Sequence, residues 1–360
     1  GSDDENLSVL ADGGYSPAHG LSLDRYGDKN SEVLASSLGI DDAEYASERQ
    51  LAVAAARLAK ADLVTSMVRE FPELEGIMGG CYGDIEGLPV QVTAAIRDQY
   101  LPRGAKDRLP GKGIPSVVAL ADKLDTLAVA FSLGMEVSGS TDPFALRRHA
   151  LGVVAILMGY DADLEELITL PLELAAPVVP NPAPQRAEKM LQFLLGRVEG
   201  ALLEQGFGVE VTRAVLGGNE KRIDRLPKMA AGLSSLVGTS KLGDVVTGWR
   251  RTAVLAKSAE AAERVSTDLF VEDPEKALHK ALSSASLALQ RLYEDGDYAG
   301  YLDLLATLRG PIDRCLDEVL INAEDPSIRS NRLALLKAVS EPFARFADFS
   351  HILPLVGREG

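Results

Sequence analysis

Apolar and small residues recur at helical spacing along most of the chain from about residue 45 onward. In the segment 47–69, positions three and four apart form one face of an expected helix: Leu51, Ala54, Ala55, Leu58, Asp62 and Thr65. The same periodicity predicts helices over 90–98, 116–133, 142–158 and 187–205, and again from 273 towards the C-terminus. Alternating strand patterns are scarce. The pattern therefore predicts an all-α protein made of several helical domains.

A cluster of five prolines lies between residues 171 and 184. Proline lacks a backbone donor and clashes with the preceding helical turn, so it disfavours the interior of a helix. Helix is therefore disfavoured there, and we expect the segment 171–186 to form a semi-rigid extended linker between domains.

Composition and charge limit the class of protein. A chain of 360 residues with 46% hydrophobic and 25% charged residues is typical of a globular protein of two or three domains. No stretch approaches the ~18 uncharged apolar residues that a membrane helix needs. The two cysteines, Cys81 and Cys315, are too few and too far apart for a disulfide scaffold or a zinc finger. The formal net charge of −16 means that any contact with nucleic acid must use local groups of cations.

Three common enzyme classes lack their motifs. The chain contains no GxxxxGK[ST] phosphate-binding loop and no GxSxG nucleophile elbow. Its glycine-rich spot, Gly111-Lys112-Gly113, follows no predicted strand, which argues against a dinucleotide-binding unit.

Two aspartates, Asp62 and Asp122, end apolar runs about 60 residues apart. This arrangement resembles the helical HD phosphohydrolase scaffold, in which histidines and aspartates gather around a divalent metal. Here Lys60 or Ala61 stands where the family histidine is expected, and only four histidines occur in the chain. Because such metal sites need imidazole ligands, we expect a degenerate site of Lys60, Asp62 and Asp122 with no metal. A structural alternative is that the aspartates bind helix ends or pair with Lys60 and Lys123.

A longer resemblance covers most of the chain. The run KADLVTSMVREFPELEGIMG at 60–79 is similar to a block of the bacterial-type glycyl-tRNA synthetase β subunit family. The pattern of that family continues through YLPR at 100–103, ALADKLDTL at 119–127, GSTDPFALRR at 139–148 and FLLGRV at 193–198. It ends with EDPSIRSNRLALL at 324–336 and ADFS at 347–350. The motifs follow in order from about residue 45 to residue 352.

This resemblance implies the C-terminal half of a β subunit. In that family the α subunit activates glycine with ATP and Mg²⁺, whereas the β subunit grips tRNA(Gly). We therefore expect no cofactor and no catalytic centre in this chain, and a dimer or heterotetramer for the full enzyme. A bacterial cytoplasm is expected, with a plastid stroma as the alternative. The predicted domains are a tag remnant and disordered tail (1–16), a degenerate HD-like domain (17–170), the linker (171–186), a helical connector with a basic stretch (187–265) and a helical anticodon-binding bundle of the DALR type (266–360).

The tRNA-binding residues are predicted from local concentrations of cations. The segment 213–257 carries nine lysines and arginines against three acids. Phosphate contacts are expected from this stretch, from the loop 97–112 and from the start of the 142–158 helix: Arg103, Lys106, Arg108, Lys112, Arg147, Arg148, Lys221, Arg222, Arg225, Arg250 and Arg251. Each of them could instead pair with the abundant acids.

Hydrogen bonds to the anticodon bases, here called base reading, are expected near the C-terminal end, where Arg329, Asn331 and Arg332 lie within one helical turn. Phe343, Phe346 and Phe349 repeat every three residues, and such a stripe is more often core than a stacking platform for bases. Trp249 has the same ambiguity.

Two other functions remain open from the sequence: a metal-dependent HD-type phosphohydrolase, and a helical scaffold that docks the α subunit.

Overall fold

The computed structural model describes residues 46–104, 106–135, 142, 144–256 and 264–356. Within these residues the chain forms helices and no β-strand, as the hydrophobic periodicity predicts. The predicted tag remnant and tail, and the rest of the sequence before residue 46, lie outside the described residues.

The chain divides into two compact units. The first contains the described residues up to Val198 together with Lys221–Asp224, and the second contains Glu199–Glu220 and the residues from Arg225 onward. The α-helices of the first unit are α1 (Ala46–Leu58), α2 (Ser66–Glu70), α3 (Ile77–Ile85), α4 (Val90–Asp98), α5 (Ile114–Ser132), α6 (Leu146–Leu157), α7 (Leu164–Ala175) and most of α8 (Arg186–Glu204). Those of the second unit are α9 (Val209–Leu216), α10 (Leu226–Leu236), α11 (Ser240–Ala256), α12 (Asp273–Glu294), α13 (Tyr298–Thr307), α14 (Arg309–Glu318), α15 (Pro326–Phe346) and α16 (Leu353–Val356).

Helix α5 is the centre of the first unit. All of its residues except Asp122 and Asp125 are buried. A helix that is apolar on nearly every side must be surrounded, and α1, α4, α6 and α7 pack against α5. A bridge between Asp163 and Arg222 attaches the short segment 221–224 to the same unit.

In the second unit, α11 packs against α13, α14 and α15. Aromatic rings fill the core of this unit. The stacked rings of Tyr301 and Phe346 have their centroids 5.6 Å apart, and those of Phe346 and Phe349 lie 6.3 Å apart. Phe343, Phe346 and Phe349 are all fully buried. The interpretation of this stripe as core is confirmed.

Two local predictions are wrong. The expected single helix over 47–69 is divided into α1, a 3₁₀ turn at Ala61–Val64 and α2, because Thr65 adopts an extended conformation and caps α2. The buried face of α1 is also rotated from the predicted one. Its fully buried residues are Ala52, Ala55 and Ala56, because these small side chains allow the neighbouring helices to approach closely. Leu58, on the predicted face, is exposed.

The proline-rich segment also differs from its prediction. Helix α7 continues through Pro171 as far as Ala175, so the prediction of extended chain is wrong over 171–175. Pro171, Leu172 and Ala175 are buried, and their packing outweighs the hydrogen bond that proline cannot make. The division between the units falls inside α8, at 198/199, and not in the linker predicted at 171–186.

Candidate nucleic-acid interface

Asp62 caps the start of helix α3. One of its carboxylate oxygens accepts hydrogen bonds from the backbone amides of Gly76 (2.7 Å) and Gly79 (3.0 Å), and the side chain is almost fully buried. A negative charge at a helix N-terminus satisfies free N–H groups and interacts favourably with the helix dipole. The structural alternative, in which this aspartate binds a helix end, is confirmed.

Asp122 pairs with Lys60, as that alternative also predicts. The Lys60 ammonium lies 2.7 Å from a carboxylate oxygen of Asp122, and both side chains are largely buried. The ammonium also lies 3.9 Å from the centroid of the Tyr100 ring, a cation–π contact. Burial opposes ionisation of Asp122, but the cations of Lys60 and Lys123 hold the pKa of its carboxyl below the ordinary value.

Three further ionisable side chains surround this pair. Burial lowers the pKa of Lys123 to about 8. Burial and the Asp122 charge raise the pKa of Asp125 to about 7, and one of its oxygens is buried without a hydrogen-bond partner. Burial also lowers the pKa of His149, although Asp122 acts in the opposite direction. His149 thus lies near Asp122 in space, a neighbourhood that the linear spacing of histidines did not reveal.

These contacts use one carboxylate oxygen of Asp62 and one of Asp122, while the second oxygen of Asp62 is buried without a hydrogen-bond partner. Asp62 is directed at a helix end, and the carboxylate of Asp122 is directed at an ammonium. Across the described part of the chain, no group of three or more His, Cys, Asp or Glu side chains is arranged to hold a metal. The geometry suits a structural ion pair better than a hydrolase centre.

The cations of the loop between α4 and α5 fall into two groups. Arg108 makes a bidentate ion pair with Asp98, at 2.6 and 3.1 Å, and Arg103 donates to the carbonyl of Glu75. Arg103 also lies 3.8 Å from the carboxylate of Glu75, so both arginines have an acidic partner within the protein. Lys106 and Lys112 are exposed and form no ion pair with any described residue, so they are the stronger candidates here for phosphate contact.

A similar division applies to the other predicted cations. Arg222 pairs with Asp161, Arg225 with Glu220, and Arg251 with both Asp313 and Asp317. Arg147 and Lys221 are half-buried. Arg148 and Arg250 are exposed, and neither makes an ion pair within the described ranges.

The predicted base-reading turn requires a correction. Arg332 is buried and donates to Glu275 (2.5 Å), Glu272 (3.1 Å) and the carbonyl of Leu320 (2.6 Å). Asn331 is also buried and binds both backbone groups of Ser266. These two side chains are internal ties whose polar groups are already used, so their assignment to bases is wrong. Only Arg329 of the three is exposed.

A groove in the second unit offers a different place for a base. This open groove has a volume of about 910 Å³ and runs along α11, α12 and α15. The half-buried ring of Trp249 lines it, and this ring lies 6.2 Å from that of Phe349. Polar side chains also face the groove, with two cations and two acids among them: Asn219, Gln290, Lys337, Glu341, Arg345 and Asp348. Sequence reasoning singled out only Trp249, because the other residues come from separate helices.

Comparison with known families decides what this chain is related to. The family described as glycyl-tRNA synthetase beta subunit matches residues 24–217, more than half of the chain. The chain belongs to this family. A second family, the DALR anticodon binding domain, matches residues 247–348. Within the glycyl-tRNA synthetase beta subunit match lie Lys60, Asp62 and Asp122, whereas Trp249, Lys337 and Arg345 lie within the DALR match.

Several similar proteins are named glycine–tRNA ligase beta subunit. The glycine–tRNA ligase beta subunit of Paracidovorax citrulli is 40% identical over 301 residues, which is 83% of this chain and 42% of the relative. Those of Janthinobacterium sp. and Dechloromonas aromatica are 37% and 39% identical over 89% and 83% of this chain. The chain therefore spans less than half the length of these relatives. Among the described residues, no helix has both the length and the apolar character that crossing a bilayer requires.

Proposed function

We propose that this chain is the tRNA-binding portion of a glycyl-tRNA synthetase β subunit. It grips tRNA(Gly) at the acceptor side and at the anticodon, so that an α subunit or fused α domain can attach glycine with ATP. Membership of the β-subunit family supports this function. The observation that carries it is the position of the Trp249 groove, whose aromatic and cationic lining lies within the match to an anticodon-binding domain.

The chemical step is assigned to the rest of the synthetase. The relatives are named ligase subunits, and this chain corresponds to only 42–45% of their length. We infer that ATP and Mg²⁺ are used by the α subunit, and that this chain alone does not charge tRNA. The assembly as a dimer or heterotetramer, and the location in a bacterial cytoplasm or a plastid stroma, stay predictions.

The lining of the groove suits an unstacked base better than a phosphate. Two cations, Lys337 and Arg345, are balanced by Glu341 and Asp348, so the groove has little net attraction for an anion. A nucleobase needs an aromatic face and a mixture of donors and acceptors. Trp249 supplies the aromatic face. The side-chain amides of Asn219 and Gln290 each carry both hydrogen-bond donors and an acceptor.

Binding assays with two RNAs test this function. Wild-type protein should bind tRNA(Gly), and a tRNA(Gly) with a replaced anticodon should bind more weakly. Trp249→Ala should reduce this discrimination, because stacking of one base is worth about 1–3 kcal/mol, whereas Trp249→Phe should retain most of it. Arg314→Gln, which removes an exposed arginine paired with Glu318, is the matched control. Equal affinity of the wild type for both RNAs would refute the anticodon assignment.

A second candidate, a scaffold that docks the α subunit, has its own support. Val64, Ile85 and Val90 expose 82%, 79% and 72% of their surface in the first unit. An exposed apolar surface marks a protein contact site only when its residues are contiguous, so this candidate requires these three side chains to form one patch. Co-purification of the α subunit before and after RNase treatment separates the two functions: capture that survives RNase supports a direct protein contact.

A further inference from the structure

Arg345 lines the Trp249 groove and lies over a buried aromatic ring. It belongs to the last turn of α15, and the residue is exposed. Its guanidinium carbon lies 3.8 Å from the centroid of the Tyr293 ring. A guanidinium at this distance over an aromatic face makes a cation–π contact. The protein therefore supports the guanidinium from below, while the groove gives access to the rest of the group.

The Tyr293 ring is itself held firmly. It is buried, and its hydroxyl donates a hydrogen bond of 2.7 Å to a carboxylate oxygen of Glu220. Burial and this hydrogen bond raise the pKa of Tyr293, so the hydroxyl stays protonated. The rings of Tyr298 and Tyr301 lie edge-on to that of Tyr293, with each centroid 5.5 Å away. A binding group that rests on such packed side chains is preorganised, which lowers the entropy lost when a ligand binds.

The chemistry of the guanidinium restricts the bases that it can bind well. It is planar and presents parallel N–H donors in a fixed fork. Such a fork fits two neighbouring acceptors, and the O2 and N3 atoms of cytosine or the O6 and N7 atoms of guanine form such a pair. Adenine and uracil offer no pair of this kind, because a donor or a C–H group stands beside each acceptor of their pairing edges.

The acids of the groove complement the same two bases. In cytosine the amino group follows the acceptor pair, and in guanine the N1–H group follows it. A carboxylate can accept a hydrogen bond from either group. Glu341, one turn before Arg345 on α15, and Asp348 both line the groove. The groove thus places acceptors as well as the Arg345 donors along one wall.

We propose that Arg345 is the residue by which the Trp249 groove selects its base, and that this base is cytosine or guanine. This inference rests on the proposed anticodon-binding function, which it deepens by naming the class of base. The ammonium of Lys337, which also lines the groove, has no planar fork and is less suited to this selection. Arg345 stands outside the cationic runs of the sequence, which therefore did not indicate it.

The test measures the affinity of the chain for a set of tRNA(Gly) molecules in which each anticodon position carries each of the four bases in turn. At one position, we expect the wild type to bind RNAs with cytosine or guanine about tenfold more tightly than those with adenine or uracil. Arg345→Lys keeps the charge but loses the fork. Both this variant and Arg345→Gln should reduce the ratio of affinities to about twofold or less.

Two further variants serve as controls. Tyr293→Phe removes the hydroxyl but keeps the ring below Arg345, so it should retain the ratio of affinities. Arg314→Gln, which removes an exposed arginine paired with Glu318, should leave this ratio unchanged. Thermal unfolding of each variant separates lost binding from lost folding.

The outcomes distinguish this inference from the function on which it rests. If the wild type shows the preference, and folded Arg345 variants show it equally, the inference is wrong and the anticodon function stands. A wild-type preference for adenine or uracil that depends on Arg345 would overturn the class of base. In Arg345→Gln, an equal loss of affinity for every RNA, with a slope of log K against log[KCl] shallower by about one, would assign Arg345 to a phosphate and overturn the base contact. A wild type that binds all of these RNAs equally, or none of them, refutes the function and the inference together.

Discussion

The ammonium of Lys60 lies 2.7 Å from a carboxylate oxygen of Asp122 in the interior of the first unit. In a phosphohydrolase of the HD type, a divalent metal is expected beside such an aspartate. Here a side chain of the same protein supplies the positive charge. The charge of Asp122 is thus balanced within the fold.

Removal of Lys60 should therefore destabilise the protein strongly. Lys60→Met leaves the buried Asp122 carboxylate without its partner, and breaking such a pair costs about 3–5 kcal/mol of the free energy of unfolding. The double variant Lys60→Met/Asp122→Leu should recover much of that loss, because no charge remains buried. Denaturant unfolding measures both. Lys241→Met, which breaks the exposed pair with Asp303, should cost less than about 1 kcal/mol. A loss for Lys60→Met as small as that of this control would contradict the interpretation.

Divalent metal should not stabilise the wild-type protein. Because the position beside Asp122 already holds an ammonium, we expect the thermal midpoint to be the same in millimolar Mn²⁺ and in EDTA. A midpoint that rises with Mn²⁺ in the wild type, and does not rise in Asp122→Asn, would instead restore the phosphohydrolase hypothesis.

Arg332 and Arg329 should affect different properties, although they lie three residues apart. Arg332→Gln leaves the fully buried Glu275 without its cation and should cost about 3–5 kcal/mol of stability. Arg329→Gln should change stability by less than about 0.5 kcal/mol, because the side chain is exposed. We expect Arg329→Gln to lower the affinity for tRNA(Gly), and an unchanged affinity would contradict the RNA contact of Arg329. Filter binding and denaturant unfolding on both variants check this division. A stable Arg332→Gln protein would refute the structural role.

Asp125 should make stability depend on pH. Its pKa is raised to about 7 in the folded chain, above the ordinary carboxyl value of about 4 in the unfolded chain. Between these values the folded state binds more protons, so the contribution of Asp125 to stability falls as pH rises from about 4 to 7. Asp125→Asn removes this dependence. The stability of this variant relative to the wild type should therefore be greater at pH 8 than at pH 5. Asp295→Asn, at an exposed position, is the control. Parallel pH profiles for the wild type and Asp125→Asn would contradict the assignment.

The helical architecture and several helix bounds could be predicted from hydrophobic periodicity. Helix α4 begins and ends at the predicted residues, and α8 is displaced by one residue at each end. The failures have local causes. Burial of Pro171 outweighs its low helix propensity, and a capping threonine divides a run whose periodicity alone indicates one helix.

The candidate site could be predicted only in part, because sequence shows where cations are but not which acids they meet. Lys106, Lys112, Arg148, Arg250 and Arg329 remain exposed candidates. Arg108 forms an ion pair with an acid 10 residues away in the chain. Arg251 forms ion pairs with two acids more than 60 residues away. The Trp249 groove collects side chains from several helices, and no linear spacing predicts such a set.

The sequence by itself determined the family, the all-α class and the helical runs, because these depend on residue types at short and regular spacing. Only the tertiary structure decided which polar residues are available. The folded chain brings Lys60 to Asp122 and Arg332 to Glu275. Burial makes an unpaired charge costly. Whether a cation serves the fold or can meet RNA therefore depends on partners that are distant along the chain.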